Sequence, residues 1–268
     1  MIRFIISDID GTLVPEGGSR INPEYMDVIR ELTERRVVFA AASGRQASSI
    51  DAVFHEIRDR IYYLADNGAY IQRNGAAAKE VRMCVEDTVA FLEDLKTVSG
   101  YHALLSAREG YYTNDTDPEF CRLVFKQYKG TGHIVENMAD YLDVCIKLSL
   151  YCENGAQEIY SLLHERWGSK FAINISGKRW LDVNDPASTK GNAVRWIQES
   201  LGITPEETIV FGDNFNDISM LERSVRSYAS VLSHPDVKKA AAHEVASYEE
   251  DGVLQVLKQI LEEIKNEE

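Results

Sequence analysis

The hydrophobic pattern divides the chain into three stretches. At the N-terminal end, short apolar runs alternate with helical spacings. Residues 2–7 read as a strand and 23–35 as a helix with Met26, Ile29 and Leu32 on one face; 37–42 read as a strand, 47–54 as a helix and 61–65 as a third strand. Asn22-Pro23 is a good helix start signal. This βαβαβ order predicts a parallel, right-handed, doubly wound sheet. The C-terminal end returns to the same alternation, with a helix over 190–201, a strand over 208–212, a helix over 217–222, a short strand over 225–229, a helix over 235–242, and an amphipathic helix over 253–264 ahead of a charged tail expected to fray.

The middle reads differently. Helices over 85–98 and 156–167 are mixed with paired strands, 102–106 with 111–114 and 171–175 with 180–184. Arg108-Glu109-Gly110 and Ser176-Gly177-Lys178 are the hairpin connections. The expected architecture is therefore α/β: a mostly parallel core built from residues 1–82 and 186–268, with an α+β domain inserted over 83–185.

Charge and composition narrow the partners. A formal net charge of −14 argues against a nucleic-acid surface, which calls for a basic stripe, and against docking on an anionic membrane. An anionic small substrate then needs positive charge concentrated locally, by a metal and a few Lys or Arg. Asp8 interrupts the N-terminal apolar run, so no secretory signal is visible, and no apolar run is long enough to span a bilayer. Cys84, Cys121, Cys145 and Cys152 show no C-x-x-C pairing, and the histidines no metal spacing. The expected state is a cytoplasmic protein with reduced, semi-buried cysteines, monomeric by default.

The chemistry-bearing residues sit where predicted strands end. Asp8 and Asp10 follow Phe4-Ile5-Ile6-Ser7, and Asp213 and Asp217 follow Ile209-Val210-Phe211-Gly212. Ligands of open parallel sheets bind outside the carboxyl ends of the strands, so acids delivered there twice point to one hard-metal site assembled by folding. Asp8 alone reads most simply as a turn or cap aspartate. Beside a divalent cation it can instead attack phosphorus and form an aspartyl-phosphate. Asp10 favours the second reading, because an acid two residues on can protonate a leaving oxygen and later deprotonate water. Gly11 would free backbone amides for an anion, and Thr12 would hydrogen-bond the loop. The cation expected is Mg²⁺, on the Asp8 and Asp213 carboxylates and a carbonyl at Asp10, with Asp217 and Asn214 behind them. Lys190 is either a solvated lysine or an ammonium placed against the phosphoryl oxygens. Ser43-Gly44-Arg45 ends another strand, where a hydroxyl and helix-start amides can cradle phosphate. Asn67-Gly68 is a turn that its strand delivers to the same rim.

Taken in order, Asp8-x-Asp10-Gly11-Thr12, Ser43-Gly44-Arg45, Lys190-Gly191 and Gly212-Asp213-x-x-Asn216-Asp217 resemble the four motifs of the haloacid dehalogenase-like superfamily, Cof-type phosphatase branch (subfamily IIB). The resemblance implies Asp8 as nucleophile, Asp10 as general acid/base, and magnesium on Asp8, Asp213 and the Asp10 carbonyl. It also implies Ser43, Lys190 and Asn216 as phosphoryl-holding groups. Dehalogenase members typically lack the second aspartate, so Asp10 points to a phosphatase or phosphomutase. The long stretch between Ser43 and Lys190 holds the α+β insert, which in the family is a cap closing over the active site and selecting the leaving group. Two segments depart from the branch: 184–189 lacks the usual glycine-valine pair, and 229–235 lacks the usual small residues.

The function expected on these grounds is Mg²⁺-dependent hydrolysis of small phosphorylated metabolites through an aspartyl-phosphate. Sugar phosphates are the leading class that the resemblance implies. Alternatives are a phosphotransferase or mutase that passes the phosphoryl group to a sugar hydroxyl, and a non-catalytic phosphometabolite-binding protein. Arg45, Asn67 and the hairpin Lys178-Arg179-Trp180 are candidate leaving-group contacts.

Overall fold

The computed structural model describes residues 1–127 and 131–267 and divides into two units, Met1–Lys79 with Thr189–Glu268, and Glu80–Ser188. In chain order the elements begin with β1 (Phe4–Asp8), α1 (Glu24–Glu34), β2 (Val38–Ala42), α2 (Ala47–Phe54), β3 (Tyr62–Ala65), β4 (Tyr70–Arg73) and β5 (Ala76–Glu80). Next come α3 (Val85–Leu95), β6 (Tyr101–Ala107), β7 (Gly110–Thr113), α4 (Pro118–Arg122), β8 (Gly132–Ile134), β9 (Lys147–Cys152), α5 (Ala156–Trp167), β10 (Ala172–Ile175) and β11 (Trp180–Asn184). The chain closes with α6 (Lys190–Leu201), β12 (Thr208–Gly212), α7 (Ile218–Leu221), β13 (Arg226–Ser230), α8 (Pro235–Ala240), β14 (His243–Val245) and α9 (Gly252–Glu267).

The first unit is an eight-stranded sheet in the order β14-β13-β12-β1-β2-β3-β4-β5. It is parallel from β14 to β3, and β4 returns antiparallel to β3. The inner strands read as nearly continuous apolar runs because helices cover both faces. On one face Phe4, Ile6, Leu64 and Val210 pack with Val194 and Ile197 of α6, Met220 and Leu221 of α7, and Val237 of α8. On the other, the Phe39 ring lies 6.4 Å from Phe54 of α2. There the Tyr25 hydroxyl of α1 accepts the Leu254 amide of α9 at 3.1 Å. The two ends of the chain thus meet in the centre of the sheet, where β1 pairs with β12 in the register Ser7↔Phe211.

The second unit is a six-stranded sheet in the order β10-β11-β9-β6-β7-β8, antiparallel except for the β7–β8 pair. Alternation along β9 and β11 sends Leu148, Leu150, Leu181 and Val183 to one face. There they form a core with Phe91 and Leu95 of α3 and Ile159 and Leu163 of α5.

Several elements differ from the pattern along the chain. Strands β4, β5, β8, β9 and β14 have no counterpart in it. Helix α3 stops at Leu95, where Thr97 and Val98 amides bond back into a tight turn. The helix expected over 217–222 is a 3₁₀ turn, Phe215–Asp217, followed by one α turn. Helix α9 continues to Glu267, through the tail expected to fray. All four cysteines are free thiols, and Cys84 is exposed, not semi-buried. No described helix is long and apolar enough to cross a membrane.

Candidate active site

Parallel pairing of β1 with β12 brings two acidic tips side by side. Asp8 is the last residue of β1, and Asp213 lies one residue beyond β12. Carboxylate oxygens of Asp8, Asp213 and Asp217 lie within 4.8 Å of one another. Lys190, the first residue of α6 and only 1% exposed, donates to Asp217 Oδ1 at 2.5 Å and to Asp8 Oδ1. Its helix reaches this depth because residue 191 is glycine: a Cβ there would stand 2.2 Å from the Ser219 carbonyl oxygen.

Asp217 is locked from both sides. While Oδ1 accepts Lys190, Oδ2 accepts the Asp213 amide at 2.9 Å and the Asn214 amide at 3.0 Å. The Asn214 side chain accepts the Phe215 amide at 2.8 Å and so caps the same turn. With both its oxygens engaged, Asp217 orients the loop that carries Asp213. Asp213 is fixed again from the β1 loop, where Thr12 Oγ1 donates to its Oδ1 at 2.7 Å. Gly11, at φ +82°, passes so close that a Cβ would lie 2.2 Å from Asp213 Oδ2.

Two expectations for this loop change. The Gly11 amide donates to the Val14 carbonyl at 2.7 Å instead of facing an anion. The Thr12 hydroxyl reaches across to Asp213 and does not bond its own loop.

Crowding three carboxylates has an electrostatic consequence. Burial, with Asp217 adding to it, lifts Asp213 to about 6. Asp8 is also held well above the usual carboxylate range, by burial first, against the opposing pull of Lys190. Burial alone would lower Lys190, but Asp217 and Asp8 outweigh it and hold the ammonium charged. A lysine cannot neutralise three acids, so the cluster retains negative charge as soon as its protons leave. Its donors are carboxylate oxygens, which suits a hard divalent cation.

Asp10 stands apart from this cluster. Arg45 grips it with both branches of the guanidinium, Nε donating to Oδ2 at 2.7 Å and Nη2 to Oδ1. The Gly17 amide adds a bond to Oδ1 at 2.8 Å, and Arg45 Nη2 also reaches the Gly18 carbonyl at 2.8 Å. Ser43 Oγ lies 3.5 Å from Asp10 Oδ2 and accepts the Arg45 amide at 3.1 Å. A third group forms at the tip of β3. Asp66, Asn67 and Gly68 all have positive φ (49°, 58° and 89°), and Asn67 Oδ1 accepts Asn216 Nδ2 at 3.0 Å. Gly44 lies beside it, its absent Cβ 3.4 Å from that same Oδ1.

All the core residues named from the motifs therefore gather on the carboxyl rim of the first unit's sheet. The hairpin residues Lys178, Arg179 and Trp180 belong to the second unit, where Arg179 Nη1 donates to the Tyr151 hydroxyl at 2.7 Å. Residues that motif reading missed are Gly17 and Gly18, which fix the Asp10–Arg45 pair, and Ser219, whose Oγ accepts the Gly191 amide at 3.1 Å. Of these, only the Gly17-Gly18 pair carries a local turn signal.

A family model for haloacid dehalogenase-like hydrolases matches residues 5–257. The 5-amino-6-(5-phospho-D-ribitylamino)uracil phosphatase of Escherichia coli is 25% identical, over 97% of this chain and 96% of its own. A crystal structure from Eubacterium rectale aligns with a TM-score of 0.88 and 30% identity, over 97% and 99% of the two chains. A solved subclass IIB sugar phosphatase shares the fold, with a TM-score of 0.79 and 23% identity over 96% and 98%.

Proposed function

Since the chain belongs to the haloacid dehalogenase-like hydrolases, we propose that it is a Mg²⁺-dependent phosphomonoesterase acting on small phosphorylated metabolites, sugar phosphates foremost. The observation that carries this reading is the buried Lys190 held between Asp8 and Asp217, with Asp213 alongside. A binding protein has no need of an oxygen nucleophile neutralised in this way, whereas phosphoryl transfer does. Relatives named as phosphatases, among them the Escherichia coli enzyme, support the same class.

The proposed reaction proceeds in two displacements. An Asp8 carboxylate oxygen attacks phosphorus as the bond to the ester oxygen breaks, and Asp10 gives its proton to the departing alkoxide. A water then attacks the acyl-phosphate, Asp10 takes the proton back, and inorganic phosphate and free Asp8 are released. Asp10 meets the ester oxygen only when Arg45 turns away, because Arg45 and Gly17 occupy both its oxygens at rest. Lys190 balances charge on the phosphoryl oxygens, and Ser43, Asn67 and Asn216 are placed on the same rim to orient them. Asp8, Asp213 and the Asp10 carbonyl would hold Mg²⁺, with Asp217 fixing the Asp213 loop; the all-oxygen donor set and its surplus negative charge fit that ion. When bound, the ion would neutralise phosphoryl oxygens and so make phosphorus easier to attack. The acidic composition argues against a nucleic-acid or anionic membrane partner, and no helix among the described residues is long and apolar enough to cross a membrane.

The test is hydrolysis of an aryl phosphate, then of a panel of metabolite esters, with and without Mg²⁺. Asp8→Asn should abolish phosphate release while the protein stays folded. Undiminished release in that variant would eliminate covalent catalysis by Asp8.

A further inference from the structure

Residues 66–69 join β3 to β4, whose antiparallel pairing ends at Ala65↔Tyr70. A hairpin loop of that length is commonly built around a type I turn, with negative φ at its centre. Here three successive residues are left-handed instead: Asp66 at φ +49°, Asn67 at +58° and Gly68 at +89°. Only glycine adopts that region freely, and two of the three carry a Cβ. The next connection is different. Between β4 and β5, Asn74 (+53°) and Gly75 (+73°) form a two-residue loop, where the turn itself requires positive φ at both positions. Strain beyond what closure needs persists only where surrounding contacts hold it, and it concentrates at functional sites.

The contacts of this turn reach three of the motif segments in the first unit. The Asp66 amide donates to the Arg45 carbonyl at 2.9 Å, and the Asn67 amide to the Ser43 carbonyl at 3.0 Å. Gly68 abuts the start of α6. A Cβ there would stand 2.6 Å from the carbonyl oxygen of Thr189, the residue before Lys190, and 2.8 Å from the Ala193 Cβ. Asn67 Oδ1 accepts Asn216 Nδ2 at 3.0 Å. A right-handed turn would aim both amides and the Asn67 side chain elsewhere.

The bond to Asn216 has a chemical consequence. A side-chain amide carries two N–H donors and one acceptor in a single plane. Once one Asn216 N–H is given to Asn67, the direction of the other is fixed, and with it the donor that Asn216 can offer a phosphoryl oxygen. Asn216 is exposed on the 3₁₀ turn Phe215–Asp217, so without this bond its amide would rotate in water. Asparagine suits position 67 on two counts: it tolerates left-handed backbone and it presents an acceptor.

We propose that Asp66-Asn67-Gly68 is a positioning element of the phosphoryl-transfer site, in which Asn67 acts through Asn216 and not by touching the leaving group. This role rests on the phosphatase reading. The turn holds the Ser43–Arg45 loop through its backbone, the Asn216 donor through the Asn67 side chain, and the approach of α6 through the missing Cβ of Gly68.

The experiment follows the Asn216 side-chain amide by ¹H–¹⁵N NMR on the full chain, its signal assigned by its loss in Asn216→Ala, together with kcat/KM for an aryl phosphate. Asn67→Gly keeps the backbone permitted and removes only the acceptor. It should move the Asn216 signal toward that of a freely exposed amide and lower kcat/KM about tenfold or more. In an Asn216→Ala background the same substitution should cost nothing further, because its target is already gone. Asn74→Gly makes the same exchange in the neighbouring turn and should change neither readout; the thermal midpoint of Asn67→Gly should fall no further than that of this control. Asn67→Ser, whose side chain is too short to reach Asn216, serves if the glycine variant does not fold. An Asn216 signal unmoved by Asn67→Gly, or a loss of activity that adds in full to that of Asn216→Ala, would overturn the proposal. Wild-type protein without phosphatase activity would instead overturn the catalytic reading, and the NMR measurement would still decide whether Asn67 holds Asn216.

Discussion

Replacing Gly11 by alanine tests the site at its tightest point. Two effects act there. At φ +82° an L-residue carries backbone strain of about 1–2 kcal/mol. Its Cβ would also sit 2.2 Å from Asp213 Oδ2 and 2.7 Å from Cγ, inside any van der Waals limit. Relieving the overlap requires a displacement of about 1 Å of the Asp213 carboxylate or of the Asp8–Asp10 loop, and misplacement on that scale reduces turnover by about 10²-fold. Gly75→Ala is the control. It has the same sign of φ, +73°, but nothing within 4 Å of the new methyl. It should lose about 1–2 kcal/mol of stability and keep its activity. The assay is kcat/KM for an aryl phosphate across a Mg²⁺ titration, paired with thermal unfolding of both variants. Gly11→Ala should lose activity and need more Mg²⁺, with a stability loss at least equal to that of Gly75→Ala. If Gly11→Ala kept activity within about threefold of wild type, Asp213 would not be the constrained group that its contacts with Thr12 and Asp217 make it here.

Other predictions address charge. Lys190→Met removes the cation between two buried carboxylates, so turnover should fall by about 10²–10³ and stability by about 3–5 kcal/mol; a variant of unchanged thermal midpoint would contradict the buried ion-pair reading. The pH dependence has a defined sign. Asp213, lifted to about 6, and Asp8, shifted the same way, bind protons more tightly folded than unfolded. In metal-free protein their contribution to stability is therefore complete below about pH 4 and is lost as pH rises through about 6. Mg²⁺ requires the ionised forms, so the stabilisation it confers should grow across the same interval, with protons released on binding. Calorimetric scans at a series of pH values with and without Mg²⁺ check this, and a difference constant from pH 5 to 7.5 would refute it.

Local pattern specified much of this protein. The apolar runs of β1 and β12, the helical spacing of α2, α5 and α6, and the turn between β6 and β7 are all decided by contacts within a few residues, so they are legible without the fold. Chemistry at the strand tips is legible for the same reason, since Asp8, Ser43 and Asp213 each follow an apolar run and meet a turn. Strands that lack a local signature are not. The alanine-rich β5 has no branched or aromatic residue to mark it, and β14 is three residues long, held by its pairing with β13. In β9 the alternation of Lys147 through Cys152 is present, but nothing local places it in the middle of a sheet.

What only tertiary structure decided is who faces whom. The meeting of Asp8 with Asp213 depends on β1 choosing β12 as its neighbour, a pairing between residues some two hundred positions apart. The division of labour among the acids is equally non-local. Asp217 is committed to Lys190 and two amides, Asp213 to Thr12, and Asp10 to Arg45 and Gly17. Spacing along a chain states which carboxylates reach a rim. Which oxygen accepts which proton depends on the last ångström of packing, such as the glycine at 11 that lets Asp213 come close, and that distance exists only once the sheet has closed around it.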